Sequence, residues 1–298
     1  MAMIMKLSWK DSATNLLIGL FTRLPLAVYS AIGLILSYGL RVKKSHIARA
    51  SLQQAIHPVS EKRLQEILRQ SARHTVNYVL TLPVLNKVAY QLHHQNVLDQ
   101  AFSEDKGIVI ISLHMGPPDL GTMALSQLGL PATTLIGSGK HSPLVHSLGK
   151  GLLQQAGIDP IVKGDPTAVL QALKQKKAVF LYSDLRSREM PVTFFGQETR
   201  APASGIMTAH LLKAPVLFHY CTLEDNQWQL HFEPVPLTHS GNKKQDAQHD
   251  LQQLMHRMEQ VIRENPELWI WHYDRFKLKN QVSRSKGFSL FQSKPDVS

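Results

Sequence analysis

The residues best suited to chemistry lie in one segment, Gly107-Ile-Val-Ile-Ile-Ser-Leu-His114-Met-Gly-Pro-Pro-Asp119. An apolar run ends on His114, a Gly-Pro-Pro turn follows, and Asp119 opens the next helical stretch. Residues five apart on a continuous helix point about 140° from one another and cannot cooperate. The paired prolines forbid such a helix, and a turn can fold the carboxylate back onto the imidazole. A histidine whose second nitrogen donates to a carboxylate is held in one tautomer and strengthened as a general base. The same spacing fits a plainer reading, a strand-end histidine with Asp119 only favouring the positive end of a helix.

The elements around the segment must place it. Short apolar runs at Ile108–Leu113, Ala132–Ile136, Ala178–Tyr182, Pro215–Cys221 and Trp228–Phe232 predict strands. Between them, 119–128, 142–156, 165–175 and 203–213 predict helices. A further helix over 61–80 is capped by Ser60, and a long amphipathic one carries Ala247, Leu251, Leu254, Met255, Met258, Val261 and Ile262 on one face, bounded by Pro266. Phe194 and Phe195 are expected to pack, with Gly196 turning the chain. Strands alternating with helices predict an α/β fold, a mixed and mainly parallel sheet flanked by helices. In such sheets catalytic groups gather at the carboxyl ends of the strands, which is where His114 falls.

Composition narrows the partners. The 298 residues carry a formal net charge of +11, with 33 Lys and Arg against 22 Asp and Glu. The excess is confined to the ends. Residues 1–49 hold Lys6, Lys10, Arg23, Arg41, Lys43, Lys44 and Arg49 against Asp11, and residues 275–298 hold Arg275, Lys277, Lys279, Arg284, Lys286 and Lys294 against Asp296. The middle is neutral, which argues against a nucleic-acid-binding core and for attachment to an anionic surface. From Leu24 to Leu40 the chain has no charged residue. This predicts an N-terminal membrane-associated helix, spanning the bilayer or lying on it, with Arg41, Lys43 and Lys44 meeting anionic lipid; the bland alternative is a buried core helix. Trp269, Trp271, Phe276, Phe288 and Phe291 stand among basic residues, and suit either a membrane interface or, for the two tryptophans, the core. The single cysteine, Cys221, sits in an apolar strand and excludes a disulfide framework. The histidines, His93 and His94 included, show no metal-binding spacing, and no Gly-x-Ser-x-Gly elbow is present, so neither a metal nor a nucleophilic serine is predicted.

The His-x4-Asp segment resembles the motif of the lysophospholipid acyltransferase superfamily, and the whole chain is similar to its bacterial lipid A biosynthesis (late, or secondary) acyltransferase family. The resemblance runs over roughly residues 15–280. It takes in Arg49-Ala-Ser-Leu52, the 61–80 helix, His114–Asp119, Phe180-Leu-Tyr-Ser-Asp184, Pro191-Val-Thr-Phe-Phe-Gly196, Gly205 and Asn265-Pro-Glu-Leu-Trp269, with Trp271, Arg275 and Lys277. It implies transfer of an acyl group from a thioester on acyl carrier protein, or a similar phosphopantetheine carrier, to a hydroxyl of a lipid A precursor. The place implied is the cytoplasmic face of the bacterial inner membrane. By that resemblance His114 is the general base and Asp119 orients it, with no tightly bound cofactor. Asp184 matches a family acid at the end of a second strand and either borders the same cleft or serves as a turn residue. Arg186, Arg188 and Arg200, with Lys150, are the candidates for lipid phosphate or carrier, against ordinary solvated charge.

Three departures from the family pattern stand out: Asp119 where the late acyltransferases carry Glu; no clear counterpart of a family arginine, Lys150 being the nearest basic residue; and Tyr273 in a position usually His, with His272 beside it. These leave open a relative that moves a different group, such as glycine from a carrier protein, or acylates another lipid. The expected organisation is an anchor helix over 1–45, an acyltransferase domain over 46–280 and a basic polar tail over 281–298.

Overall fold

A computed structural model describes Gly19 and residues 26–137, 143–155 and 157–276. The tail expected over 281–298, and with it Phe288 and Phe291, lies outside the described residues.

Seven strands form the main sheet in the order β1-β9-β8-β2-β5-β3-β4. In chain order these are β1 (Tyr90–Leu92), β2 (Ile108–Ser112), β3 (Ala132–Ile136), β4 (Ile161–Val162), β5 (Ala178–Tyr182), β8 (Val216–Glu224) and β9 (Gln227–Pro234). Only β8 and β9, joined as a hairpin, are antiparallel; every other neighbouring pair is parallel. The expected mixed, mainly parallel sheet is therefore what forms. All five residues of β2 are buried, as a strand with helices on both faces must be. Its pleat divides the core. Val109 and Ile111 face one apolar layer and Ile108 and Ile110 the other.

The first layer is built by α1 (Leu26–Ala55), α2 (Glu61–Thr81), α6 (Pro166–Lys174), α7 (Ser204–Leu212) and α8 (Lys243–Glu264), and the second chiefly by α3 (Gln95–Ser103), α4 (Asp119–Gln127) and α5 (Pro143–Gln155). Ser60 caps α2 as predicted, its side chain accepting from the Arg63 backbone N–H. The long amphipathic face of α8 buries Leu251, Leu254, Met255, Met258, Val261 and Ile262.

Two features depart from the expectation. The N-terminal helix does not stop where charge resumes. It continues through Arg41, Lys43 and Lys44 to Ala55, and Ile47, Ala48, Leu52 and Ala55 enter the core. The boundary expected at residue 45 thus falls inside one helix, whose earlier half leaves Leu34, Ile35, Leu36, Tyr38 and Val42 exposed. Among the described residues no helix is long and apolar enough to cross a membrane. Second, the stretch around Phe194 is a hairpin, β6 (Met190–Phe194) with β7 (Gln197–Ala201). Its two-residue loop, Phe195-Gly196, takes positive φ at both positions (50° and 71°), the geometry that matches the twist of tight hairpins. The bulky Phe195 holds that backbone because its ring is buried beside Trp269 and Trp271, under the Arg263 guanidinium. Trp269 and Trp271 are themselves buried, so of their two expected settings the core is correct.

Candidate active site

Parallel strands deliver their carboxyl ends to one edge of the sheet. β2 and β5 pair in register from Ile108 with Ala178 to Ser112 with Tyr182. Two residues beyond each end stand His114 and Asp184. The imidazole Nδ1 of His114 lies 2.9 Å from Oδ1 of Asp184, and the His114 backbone N–H donates to Oδ2 of the same carboxylate at 2.9 Å. A third donor, the indole Nε1 of Trp269, reaches Oδ2 at 2.9 Å. Asp184 is wholly buried, and a buried carboxylate persists as an anion only when its oxygens are supplied with donors. Arg275 completes the frame, its Nε donating to the Asp184 carbonyl at 2.6 Å and its Nη1 to Thr199 Oγ1 at 2.7 Å.

The sequence expectation pairs Asp119 with His114, but among the described residues no hydrogen bond joins the two, and the carboxylate in contact with the ring is that of Asp184. Asp119 is the first residue of α4, and its carboxylate is held by three hydroxyls. Tyr78 donates to Oδ2; Tyr182 (2.9 Å) and Thr134 (3.2 Å) donate to Oδ1. Burial, reinforced by the charge of Asp119, pushes both tyrosine pKa values well up, so both remain donors. The physical reason is the turn. Gly116 takes φ +60°, and its N–H is tied to the Leu268 carbonyl at 3.1 Å, beside a bridge between Met115 and Trp269. The turn thereby sets Asp119 among hydroxyls while the strand end leaves Asp184 as the imidazole's neighbour.

The electrostatics follow. Burial pulls the His114 pKa down, but the charge of Asp184 and its hydrogen bond, with the more distant charge of Asp119, outweigh it, so the net shift is upward. For Asp184 burial pushes the pKa up, yet His114 and the Trp269 donor prevail and hold it below the usual carboxylate range. With Nδ1 engaged by a carboxylate, the other ring nitrogen, Nε2, is the one available to take a proton. The His114 side chain is 28% exposed, stacked obliquely on Tyr182 with centroids 4.7 Å apart. That exposure leaves a substrate room to approach.

The candidate cations fall in separate places. Arg186, Arg188 and Arg200 are brought together around an open polar cavity of about 1120 Å³ beside the β6–β7 hairpin, which Thr199, Tyr273 and Phe276 also line. Arg200 is engaged within the protein, donating to the carbonyls of Arg188 (3.0 Å) and Glu189 (2.6 Å); no ion pair holds Arg186 or Arg188 among the described residues. Lys150 sits on α5 and makes no hydrogen bond or ion pair with the site. Lys163, one residue beyond β4 and exposed, is instead the lysine whose charge acts on His114, opposing its protonation. Sequence reasoning missed Lys163 and the site role of Trp269. The first was signalled only by its place after a two-residue strand, the second only by contacts across the fold. Cys221 is buried, its thiol pKa driven up by burial and then by the Asp119 charge, consistent with a core cysteine. No cluster that could hold a metal ion occurs among the described residues.

A partly exposed histidine held by a buried carboxylate at the carboxyl edge of a parallel sheet defines an α/β protein equipped for general-base chemistry. The family model described as bacterial lipid A biosynthesis acyltransferase matches residues 8–278, and the chain belongs to that family. It is, at that level, an acyltransferase of lipid A biosynthesis. No match to the chain is found among curated proteins.

Proposed function

We propose that the protein transfers an acyl group from a thioester on acyl carrier protein to a hydroxyl of a lipid A precursor, with His114 as general base and Asp184 as the residue that orients it. The observation that carries this reading is the His114–Asp184 pair, joined by both backbone and ring, in a chain of this family. His114 Nε2 takes the hydroxyl proton as the oxygen attacks the thioester carbonyl and a C–O bond forms. The tetrahedral intermediate collapses with cleavage of the C–S bond, and the imidazolium returns its proton to the departing thiolate. Asp184 stabilises the imidazolium by contact, and Asp119 does so by charge from its cage of hydroxyls. Neither a cofactor nor a covalent enzyme intermediate is needed.

Lys163 supplies positive charge near the ring, suited to a carbonyl oxygen that becomes an anion. Arg186 and Arg188, held by no ion pair among the described residues, offer their guanidiniums to the phosphates of the acceptor or to the carrier's phosphopantetheine. The protein works at the cytoplasmic face of the inner membrane, held there by the exposed apolar residues of α1 with Arg41, Lys43 and Lys44 beside them. Mass spectrometry of lipid A from cells with and without the gene tests the reading. The expected result is a species heavier by one fatty acyl group that requires the gene and disappears with His114→Ala. A gain equal to a glycyl residue reassigns the donor, and an unchanged lipid A refutes the activity.

A further inference from the structure

A second pocket opens where α1, α2 and the segment after α8 meet. It encloses about 430 Å³ and is lined by Tyr38, Arg41, Val42 and Ser45 of α1, by Gln65 of α2 and by His272. It is separate from the active site. Its α2 wall at Leu68 lies ten residues from Tyr78, roughly 15 Å along the helix.

The pocket's inner wall is chemically unsatisfied. His272 is only 5% exposed, yet neither ring nitrogen has a hydrogen-bond partner among the described residues. Burial, then the charge of Arg41, lowers its pKa to about 4, so at neutral pH the ring is neutral, with one N–H to donate and one lone pair to fill. Arg41 forms no ion pair among the described residues, although its charge is close enough to act on His272. A guanidinium, a buried N–H donor and the Ser45 hydroxyl at one mouth suit a phosphate oxygen cluster.

The outer wall adds the second half of the ligand. Leu34, Tyr38 and Val42 recur every fourth residue of α1, and so form one stripe; they are 55%, 66% and 64% exposed. Tyr38 and Val42 belong to the pocket lining itself, and the stripe, about 12 Å long in all, reaches about 6 Å beyond it to Leu34. A free anion has no use for that stripe, whereas an amphiphile with its phosphate at Arg41 lays its chain along it.

We infer that this pocket binds one phospholipid, its phosphate between Arg41 and His272 and an acyl chain along Leu34, Tyr38 and Val42. The inference rests on the proposal that α1 faces a membrane, and turns general attraction to a surface into a defined site.

The purified full chain is titrated calorimetrically with dihexanoyl phosphatidylglycerol below its micelle concentration, with inorganic phosphate and dihexanoylglycerol as separate arms. Expected is saturable binding at one site, with inorganic phosphate at least 100-fold weaker. Arg41→Gln and Tyr38→Ser, both on the accessible side of the pocket, should each weaken the lipid at least tenfold. His272→Phe should do the same, and circular dichroism checks that this buried variant folds. Undiminished binding by Arg41→Gln and Tyr38→Ser, unsaturable uptake, or inorganic phosphate binding as tightly as lipid overturns the site. Sedimentation of the wild type with phosphatidylglycerol vesicles tests the membrane reading separately. Protein that sediments but binds no monomeric lipid refutes the pocket alone. Protein that binds monomeric lipid at one site but does not sediment refutes the membrane reading and supports the pocket.

Discussion

The indole N–H of Trp269 donates to Oδ2 of Asp184 at 2.9 Å, across 85 residues of chain. The segment carrying that tryptophan also bridges Met115 and accepts from the Gly116 N–H, so both sides of the His114–Asp184 pair are braced from the same strip after α8. The strip is anchored in turn by Ser71 of α2, whose hydroxyl donates to the Trp269 carbonyl at 2.6 Å.

Trp269→Phe retains an aromatic ring against Phe194, Phe195 and Trp271 and removes only the N–H and part of the ring volume. Deleting one donor to a buried anion costs about 1–3 kcal/mol. The denaturation midpoint should fall accordingly, and kcat should drop while the KM for acceptor changes little. A variant with wild-type stability and rate refutes the bracing role.

Asp184→Asn and Asp119→Asn separate the two acids. A base must be neutral to act, so the acid limb of kcat/KM rises through the His114 pKa, which lies above the usual imidazole value because Asp184 outweighs burial. Asp184→Asn removes that charge and leaves burial and Lys163 to act, so the limb should move to lower pH, while the plateau falls about 10²–10⁴-fold as general-base assistance is lost. Asp119→Asn should move the limb in the same direction but less far. A larger downward shift in Asp119→Asn than in Asp184→Asn reverses the roles assigned here. Stability carries the matching sign. The raised His114 pKa contributes stability below the unperturbed imidazole pKa that is lost as pH rises through the folded one. The lowered Asp184 pKa contributes stability above the ordinary carboxylate value that is lost on acidification through the folded one. Thermal midpoints across pH should therefore flatten in Asp184→Asn.

Lys163→Met tests the cation near the ring. Its charge opposes protonation of His114, so removing it should raise the apparent pKa and shift the acid limb upward, opposite to the two carboxylate variants. If Lys163 also meets the developing oxyanion, kcat falls at the pH plateau as well. A downward shift of the limb contradicts the placement of this lysine.

Much of the frame was legible because it is local. Buried parallel strands read as unbroken apolar runs, and the ends of β2, β3 and β5 were predicted within a residue. Ser60 and Pro266 mark helix boundaries by chemistry that belongs to single residues. The partner of His114 was not legible. Which carboxylate meets the imidazole depends on the register of β2 with β5 and on a turn pinned by Leu268, and neither leaves a mark in the spacing between His114 and Asp119. The β6–β7 hairpin was hidden for a related reason. Phe195 at positive φ has little support from its own preference and is held by Trp269, Trp271 and Arg263, residues far along the chain. The helix over 26–55 showed its apolar half and concealed its continuation, because Arg41, Lys43 and Lys44 interrupt the apolar pattern just before Ile47, Ala48 and Leu52 enter the core.

Arg186, Arg188 and Arg200 share a cavity but not a role, and substitution separates them. Arg200 spends its guanidinium on the Arg188 and Glu189 carbonyls, while the Glu189 carboxylate accepts from the backbone N–H groups of Ala203 and Ser204 at the start of α7. Arg200→Ala should therefore lower stability, with loss of rate following the unfolded fraction. Arg186→Ala combined with Arg188→Ala removes charge without breaking an internal ion pair. Stability should stay within about 0.5 kcal/mol of wild type, as for surface changes generally, and the KM for a phosphorylated acceptor should rise severalfold with kcat nearly constant, the pattern of lost uniform binding. Added salt should erode the wild-type advantage because exposed charges are screened. Comparing a bisphosphorylated acceptor with its monophosphorylated counterpart sharpens the outcome. If the arginines hold phosphate, the double variant loses most of the preference for the second phosphate; if KM rises only when the carrier thioester is varied, they dock the donor instead.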